Sequence, residues 1–471
     1  MRTTALRLTL HAVNMKVNHL IAAAITAVAA VIFFLPPPAG ASVHSMHAAA
    51  LLLLAIGLWA TAALPEHITA LLFLALCMVL AIAPANVVFS GFESGTVWLV
   101  LGGLVIAEAV RSTGLGERIA LVLFAHRNLT YPRLIAAACT VALLLAFLMP
   151  ATVARVLLLL PIFAALGARM GLAPGSNGQH ALALTAMIVS FQCGITVLPA
   201  NAPNMVLAGA AETLYGKTIT YVDYLFTQFP VMGLLKAMVI ALMLIKLFPD
   251  KTTPPASDKP LKPMSPEEKR LAVVLVCALM LWATDTWHGL RPAWVALGAA
   301  TILLLPRVGA VPAAMFPDRV KLGSFFYVGA VLGFGAVLQH SGVGRALGST
   351  LLPLLHVQAG QDALNFFKLA LFGTVAGLFT TNPALPALLA PLAAQMAEAA
   401  GWRLEAALMI IAVGFSTMVL PYQAPPVMVG VAVSGTPLRV LLRLTLPLTV
   451  VCIFVLLPMD FLWWWWRGYF R

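Results

Sequence analysis

The sequence predicts an all-α polytopic membrane protein, and three observations carry that expectation. Only 9% of the 471 residues are charged while 62% are hydrophobic, and the mean hydropathy is +0.98. A soluble chain of this length needs far more polar surface than those residues supply. The apolar runs are also continuous, and at 1.5 Å per residue about 20 of them cross roughly 30 Å of hydrocarbon. They do not alternate at every second residue, as strands of an outer-membrane barrel would.

In order, the candidate spans are 17–35, 46–64, 67–83, 95–110, 132–149, 181–198, 229–248, 270–287, 292–306, 322–340, 366–380, 404–420 and 440–459. The first is too long for an ordinary signal-peptide core and ends in Pro36-Pro37-Pro38, so it reads as a leading helix. Segments 67–83 and 95–110 are short and read as half-spans or tilted pieces. One polar stretch, PDKTTPPASDKPLKPMSPEEKR at 249–270, divides the chain. Its prolines favour an extended linker, and Lys251, Lys259, Lys262, Lys269 and Arg270 place it on the cytoplasmic side. The expected organisation is an N-terminal segment (1–44), a first repeat (45–248), the linker (249–270) and a second repeat (271–471). Trp463–Trp466 near the C-terminus reads as an interfacial anchor.

The net charge of +12 is not a nucleic-acid signature, because the basic residues sit singly at the edges of apolar runs. The partners expected are membrane lipid and a small anionic solute, in the cell inner membrane. Cys77, Cys139, Cys193, Cys277 and Cys452 form no CxxC pair and read as structural thiols. No HExxH, GxSxG or ExxH pattern supports an intramembrane enzyme, the alternative weighed against a carrier. No GxxxxGK[ST] loop supports ATP driving, so no cofactor is expected.

The two halves resemble each other. Gly114-Leu115-Gly116 is matched by Gly342-Val343-Gly344. FLMPATVARVLLLLPI, with Ala151, Thr152, Val153 and Pro161, is matched by LFTTNPALPALLAPL, with Thr381, Asn382, Pro383 and Pro391. LPANAP, with Pro199 and Pro203, is matched by LPYQAP, with Pro421 and Pro425. The three signals recur in the same order at separations of 222 to 230 residues. Interrupted apolar segments at corresponding places in two halves point to a transporter's binding site. Both inverted and parallel repeats satisfy the pattern.

Proline removes a backbone donor and clashes with the preceding turn, so helical bonding must lapse around Asn201 and around Gln423. Freed backbone groups are tolerated at membrane depth only inside protein or around a cavity. A half-helix starting near Asn204 offers N–H donors and a positive dipole end to an anion. The segments 150–155 and 380–385 read as tips of re-entrant hairpins, since about ten apolar residues before Pro161 or Pro391 cannot span. Thr152, Thr380, Thr381 and Asn382 offer small hydroxyls and an amide to an oxyanion. The alternatives are packing kinks at the breaks and surface turns at the tips.

Arg155 follows the first tip. A guanidinium at membrane depth must pair, bind an anion or reach the headgroups. Beside Thr152 it is expected to clamp an oxyanion or to stand in for a cation; the alternative is snorkelling. Glu108 reads as the partner of Arg111, and His340 as a hydrogen-bonded structural histidine. Lys236 reads as a snorkelling lysine. Glu66, His67 and His126 read as interfacial, and Asp285 as a span-end residue.

These tips and breaks resemble those of the divalent anion/sodium symporter family, which carries dicarboxylates, citrate or sulfate. The likeness runs from about residue 45 to the end. It implies two inverted five-span repeats after one leading helix, each with a re-entrant hairpin and a broken helix. It further implies a homodimer, elevator-type alternating access and sodium as coupling ion. The family's Ser-Asn-Thr tips fall on Ala151-Thr152-Val153 and Thr381-Asn382-Pro383. Its Thr-Pro-Pro-Asn-like breaks fall on Asn201-Ala202-Pro203-Asn204 and Ala424-Pro425-Pro426-Val427. Read from the tips and breaks, Thr152, Arg155, Asn201, Asn204, Thr380, Thr381, Asn382 and Gln423 are the candidate substrate residues, Arg155 standing where the resemblance implies a neutral hydroxyl. The resemblance implies Thr152, Asn204, Asn382 and Ala424 around a cation. Only Asn382 and Asn204 keep the family's amides, and the lost oxygens count against sodium coupling. Anion exchange and proton coupling are the alternatives.

Overall fold

The computed structural model describes residues 20–37, 42–61, 63–123, 130–253, 263–306, 308–312 and 316–470. His126 and the linker residues 254–262 lie outside the described residues. Among the described residues the chain is all α, with eight helices long and apolar enough to cross a membrane. Leu20–Phe34 leads. The helices that follow divide between the two halves of the chain. The first half has Val43–Thr61, Glu66–Val79, Gly95–Thr113, Leu115–Leu123, Tyr131–Leu148, Thr152–Arg169, a helix from Asn177 that turns π-helical over Thr185–Cys193, Ala202–Tyr215 and Tyr221–Leu247. The second has Pro266–Ala283, Pro292–Leu304, Gly323–His340, Val343–Leu355, Asp362–Ala376, Leu385–Ala400, Leu404–Ser416, Pro425–Ser434 and Leu438–Trp466.

Local chemistry sets many of these boundaries. Ser94, Ser176 and Thr220 accept backbone N–H bonds at helix starts, and Ser265 forms a capping box with Glu268. That box starts the helix at Pro266, so the last residues of the expected linker are its first turn rather than loop. The matched glycines play matched parts. Gly114 (φ +79°) ends Gly95–Thr113 and Gly342 (φ +76°) follows Gly323–His340, each in the left-handed region that suits a residue without Cβ.

The halves pack reciprocally. Gly95–Thr113 lies on Pro292–Leu304, while Glu66–Val79 lies on Gly323–His340. Ala202–Tyr215 lies on Leu385–Leu389, while Pro425–Ser434 lies on Thr152–Arg169. Glycine permits the closest approaches. A Cβ on Gly102 would sit 2.7 Å from the Ala296 backbone, and one on Gly91 only 2.0 Å from the Gly329 carbonyl oxygen.

Two expectations about elements need correction. The helices after the tips do not stop at Pro161 or Pro391. The first runs on to Arg169 with Pro161 inside it, and the second continues, through a tightened turn at Ala390–Leu392, to Ala400. One proline removes one donor, and packing on both sides carries the helix past it. The tryptophan run is also not purely interfacial. Trp464 is fully buried against Phe366 and Tyr469, while Trp465 and Trp466 are exposed.

Candidate functional site: two tips docked on two breaks

The first tip is Met149 and Ala151 in extended backbone on either side of Pro150, between Tyr131–Leu148 and Thr152–Arg169. The first break follows the π-helical stretch. Val197 and Asn201 are extended, short turns lie between, and the helix restarts at Ala202. Side chains satisfy the carbonyls that this irregular backbone frees. Asn201 Nδ2 donates to Phe191 O at 3.3 Å. Asn204 Nδ2 donates to Gly194 O and Val197 O at 3.2 and 2.9 Å. Tyr224 Oη donates to Ile195 O at 2.8 Å.

Arg155 is fully buried at this junction. Nη1 donates to Met149 O and, at 3.0 Å, to Ala200 O. Nη2 donates to Thr152 Oγ1 at 3.1 Å and to Ser190 O at 2.8 Å. Thr152 Oγ1 donates in turn to Ala200 O at 3.1 Å. Every Nη hydrogen is thereby committed to a neutral oxygen of the tip or the break, and only Nε has no partner. Gly194 makes the room, since a Cβ there would lie 2.6 Å from Nη2. The side chain therefore does not snorkel. Its three carbonyls and one hydroxyl are the kind of ligands an alkali cation takes, so a sodium ion does not fit among oxygens the guanidinium already holds.

The second tip and break repeat the arrangement with different side chains. Asn382 donates its backbone N–H to Gln423 O at 2.8 Å and its Nδ2 to Phe415 O at 3.0 Å. Gln423 donates Nε2 to Gly377 O at 2.8 Å, and its Oε1 accepts from Val419 N and Leu420 N at 2.8 and 2.7 Å. Ala424 is extended, and its carbonyl accepts from Val427 N and Met428 N, so that oxygen is already engaged. Lys236 corrects a sequence expectation. It is fully buried, and its Nζ donates to Ser416 O at 2.5 Å, at the start of the second break. Hydropathy registers one lysine in an apolar run and is blind to which face it occupies.

Thus Thr152, Arg155, Asn201 and Asn204 come together at the first junction, and Thr380, Thr381, Asn382 and Gln423 at the second. The crossed packing of Ala202–Tyr215 and Pro425–Ser434 links the two junctions. Several buried polar atoms there have no partner: Thr380 Oγ1, Thr381 Oγ1, Asn382 Oδ1, Asn204 Oδ1, Ser190 Oγ and both amide atoms of Gln192. Such atoms are costly unless something binds them. Ser190 and Gln192 were not singled out from sequence; the signal was VSFQCG, two polar residues in an apolar run just before the break. The helices beginning at Thr152 and Ala202 also have no side-chain cap, so N–H groups of their first turn and their positive dipole ends stay available. The helix beginning at Pro425 offers no such donors, because Pro425 and Pro426 have no N–H and Val427 and Met428 donate to Ala424 O.

The other singled-out residues lie elsewhere. Glu108 is held by Arg111 through two 2.8 Å bonds, with Arg319 3.7 Å away. His340 is exposed at a helix end rather than structurally buried. Asp285 Oδ2 accepts from Tyr221 N at 2.6 Å and so caps the helix of the first half's last span. Glu66 and His67 line a surface cavity with Lys321 and Ser324. Among the described residues no cluster of His, Cys, Asp and Glu can hold a metal.

Small hydroxyls, amides and fixed positive charge at interrupted helices inside a membrane bundle define a secondary transporter of small anionic solutes, not an enzyme. Comparison with known proteins narrows the class. The family described as sodium:sulfate symporter transmembrane region matches residues 16–469, and the chain belongs to it. A "membrane protein" of Cupriavidus necator is 25% identical over 91% of this chain and 89% of its own length. The inner membrane protein YbhI of Escherichia coli is 25% identical, covering 80% of this chain and 81% of YbhI. The L-tartrate/succinate antiporter of Shigella dysenteriae is 24% identical over 54% of each chain. The crystal structure of the Alcanivorax borkumensis YdaH transporter shares the fold, with a TM-score of 0.53, 16% identity, and coverage of 81% of this chain and 86% of that one. The chain is accordingly a multi-pass protein of the inner membrane.

Proposed function

We propose that the chain moves small divalent oxyanions, dicarboxylates first, by alternating access, and that Arg155 replaces a sodium ion in its first half. One observation carries the reading: a buried guanidinium whose Nη groups are saturated by tip and break oxygens, with no carboxylate among their partners. Held this way, Arg155 contributes field rather than a two-pronged clamp. Thr380 and Thr381 supply hydroxyl donors to the solute and Asn382 the second hydrogen of its Nδ2, while Thr152, Asn201, Asn204 and Gln423 keep the junctions folded around it. The family description names sodium, and in this reading Arg155 takes the place of that ion. A relative named as a tartrate/succinate antiporter favours dicarboxylates and exchange.

The reciprocal packing supports two inverted five-span repeats, 45–248 and 271–471, after the leading helix. In this reading the tips and broken helices travel together as an elevator against the remaining helices, in a homodimer. The test is counterflow of succinate, citrate and sulfate in proteoliposomes, with sodium and with potassium, beside thermal unfolding of the purified protein. Exchange and stabilisation by succinate that are equal in both salts are expected. Strict sodium dependence would overturn the role given to Arg155, and no exchange of any of the three would overturn the carrier reading for these solutes.

A further inference from the structure

Behind the second junction lie two buried ionisable groups that the proposed function does not use. Asp460 is fully buried in the last span, and neither carboxylate oxygen has a hydrogen-bond partner. Its helix, Leu457–Trp466, packs on Phe229–Leu235, the stretch that ends beside Lys236, whose ammonium holds Ser416 O. Thr445 Oγ1 and Trp464 Nε1, in the same span, are likewise buried without partners. The elements packed on this region carry few other titratable groups. Cys193 and Cys452 flank Lys236. On Asp362–Ala376, Asp362 accepts from Trp402 and Lys368 donates to His356 O. Asp223, Arg467 and Tyr469 bond among themselves at the span's end.

A carboxylate without donors is expensive in a dry interior, and so is an ammonium with one bond. The cheapest occupancy has one proton shared out so that Asp460 is neutral or balances Lys236. We propose that Asp460 is the proton-binding site of this carrier, with Lys236 as the group that links its protonation to the second break. A proton arriving from water adds to a carboxylate oxygen of Asp460; Lys236 then loses its counter-charge, and its grip on Ser416 O strengthens. Ser416 is next to Phe415, whose carbonyl holds the Asn382 tip, so the proton's presence is transmitted to the solute-binding hydroxyls. This rests on the carrier reading and names its coupling ion.

Two readouts separate the two ideas. Infrared difference spectra of purified full-length protein across a pH series report a protonated carboxyl without any solute. A band lost in Asp460→Asn, shifted in frequency but kept in Asp460→Glu, and moved to higher pH midpoint in Lys236→Met is expected. In proteoliposomes, sulfate and succinate uptake should be stimulated by an inward proton gradient in the natural protein and in Asp460→Glu, and that stimulation should be lost in Asp460→Asn. A carboxyl spectrum identical in Asp460→Asn, or a midpoint unmoved in Lys236→Met, would overturn the proposal even if that variant transports poorly. Absent counterflow with the infrared pattern intact would instead overturn the carrier reading for these solutes.

Discussion

Arg155 shows what a single side chain can do at membrane depth. A guanidinium has five donors in a fixed fork, and the four on Nη1 and Nη2 here bridge the tip to the break. Arg155→Lys keeps the charge but cannot reach three carbonyls and a hydroxyl at once. We expect it to lose most succinate exchange, measured as initial counterflow rate. Arg155→Gln should also lower the unfolding temperature, since each carbonyl left unpaired costs about 1–3 kcal/mol. Asn382→Ala removes the bond to Phe415 O that holds the second tip on its break, and should weaken succinate stabilisation in thermal unfolding. The burial of Arg155, Asn382 and Asn204 at the tips and breaks was readable from sequence, because polar groups beside prolines in apolar runs have few places to go. The buried state of Lys236 was not readable, because a lysine stem suits headgroup and interior alike.

At the scale of elements, the prolines did what their chemistry requires. Around Pro199 and Pro203, and again around Pro421 and Pro425, extended residues and short turns replace helix, and the helices restart at Ala202 and Pro425. The short restarted helices were harder to foresee, since a helix of ten or fourteen residues after a break leaves no full-length hydropathy signal. Two predictions belong here. Asp362–Ala376 and Leu404–Ser416 touch at Gly373 and Gly414, where a Cβ on Gly414 would lie 2.9 Å from Gly373 Cα. Gly414→Ala should cost about 1–3 kcal/mol by overpacking, read as a lower unfolding temperature. Asp250, outside the spans, accepts from Gly178 N at 2.8 Å and joins the end of one span to the start of another helix. Desolvation would raise its pKa, but N–H bonds from Gly178 and Lys251 and the Ser176 hydroxyl hold it below the usual carboxylate range. Its contribution is therefore complete above the ordinary carboxylate value of about 4 and fades as pH falls through the lower folded value. Asp250→Asn should flatten that acid limb of the stability-against-pH curve.

Across the whole molecule, the three matched motifs fall at corresponding places in the helix order, where Gly114 and Gly342 lie between successive helices and the helices restart at Ala202 and Pro425. The crossed contacts between halves were not legible, since sequence order says nothing of which partner a helix face meets. Gly102→Val, which drives a branched side chain into the Ala296 backbone, should push the halves apart and reduce the yield of folded protein in size-exclusion chromatography. The reciprocal packing has a consequence for biogenesis. A ribosome that has finished the first 247 residues has not finished a domain: Gly95–Thr113 still lacks its bed on Pro292–Leu304, and Thr152–Arg169 still awaits Pro425–Ser434. The nascent N-terminal portion must wait in the bilayer, those helix faces unpartnered, until synthesis is nearly over.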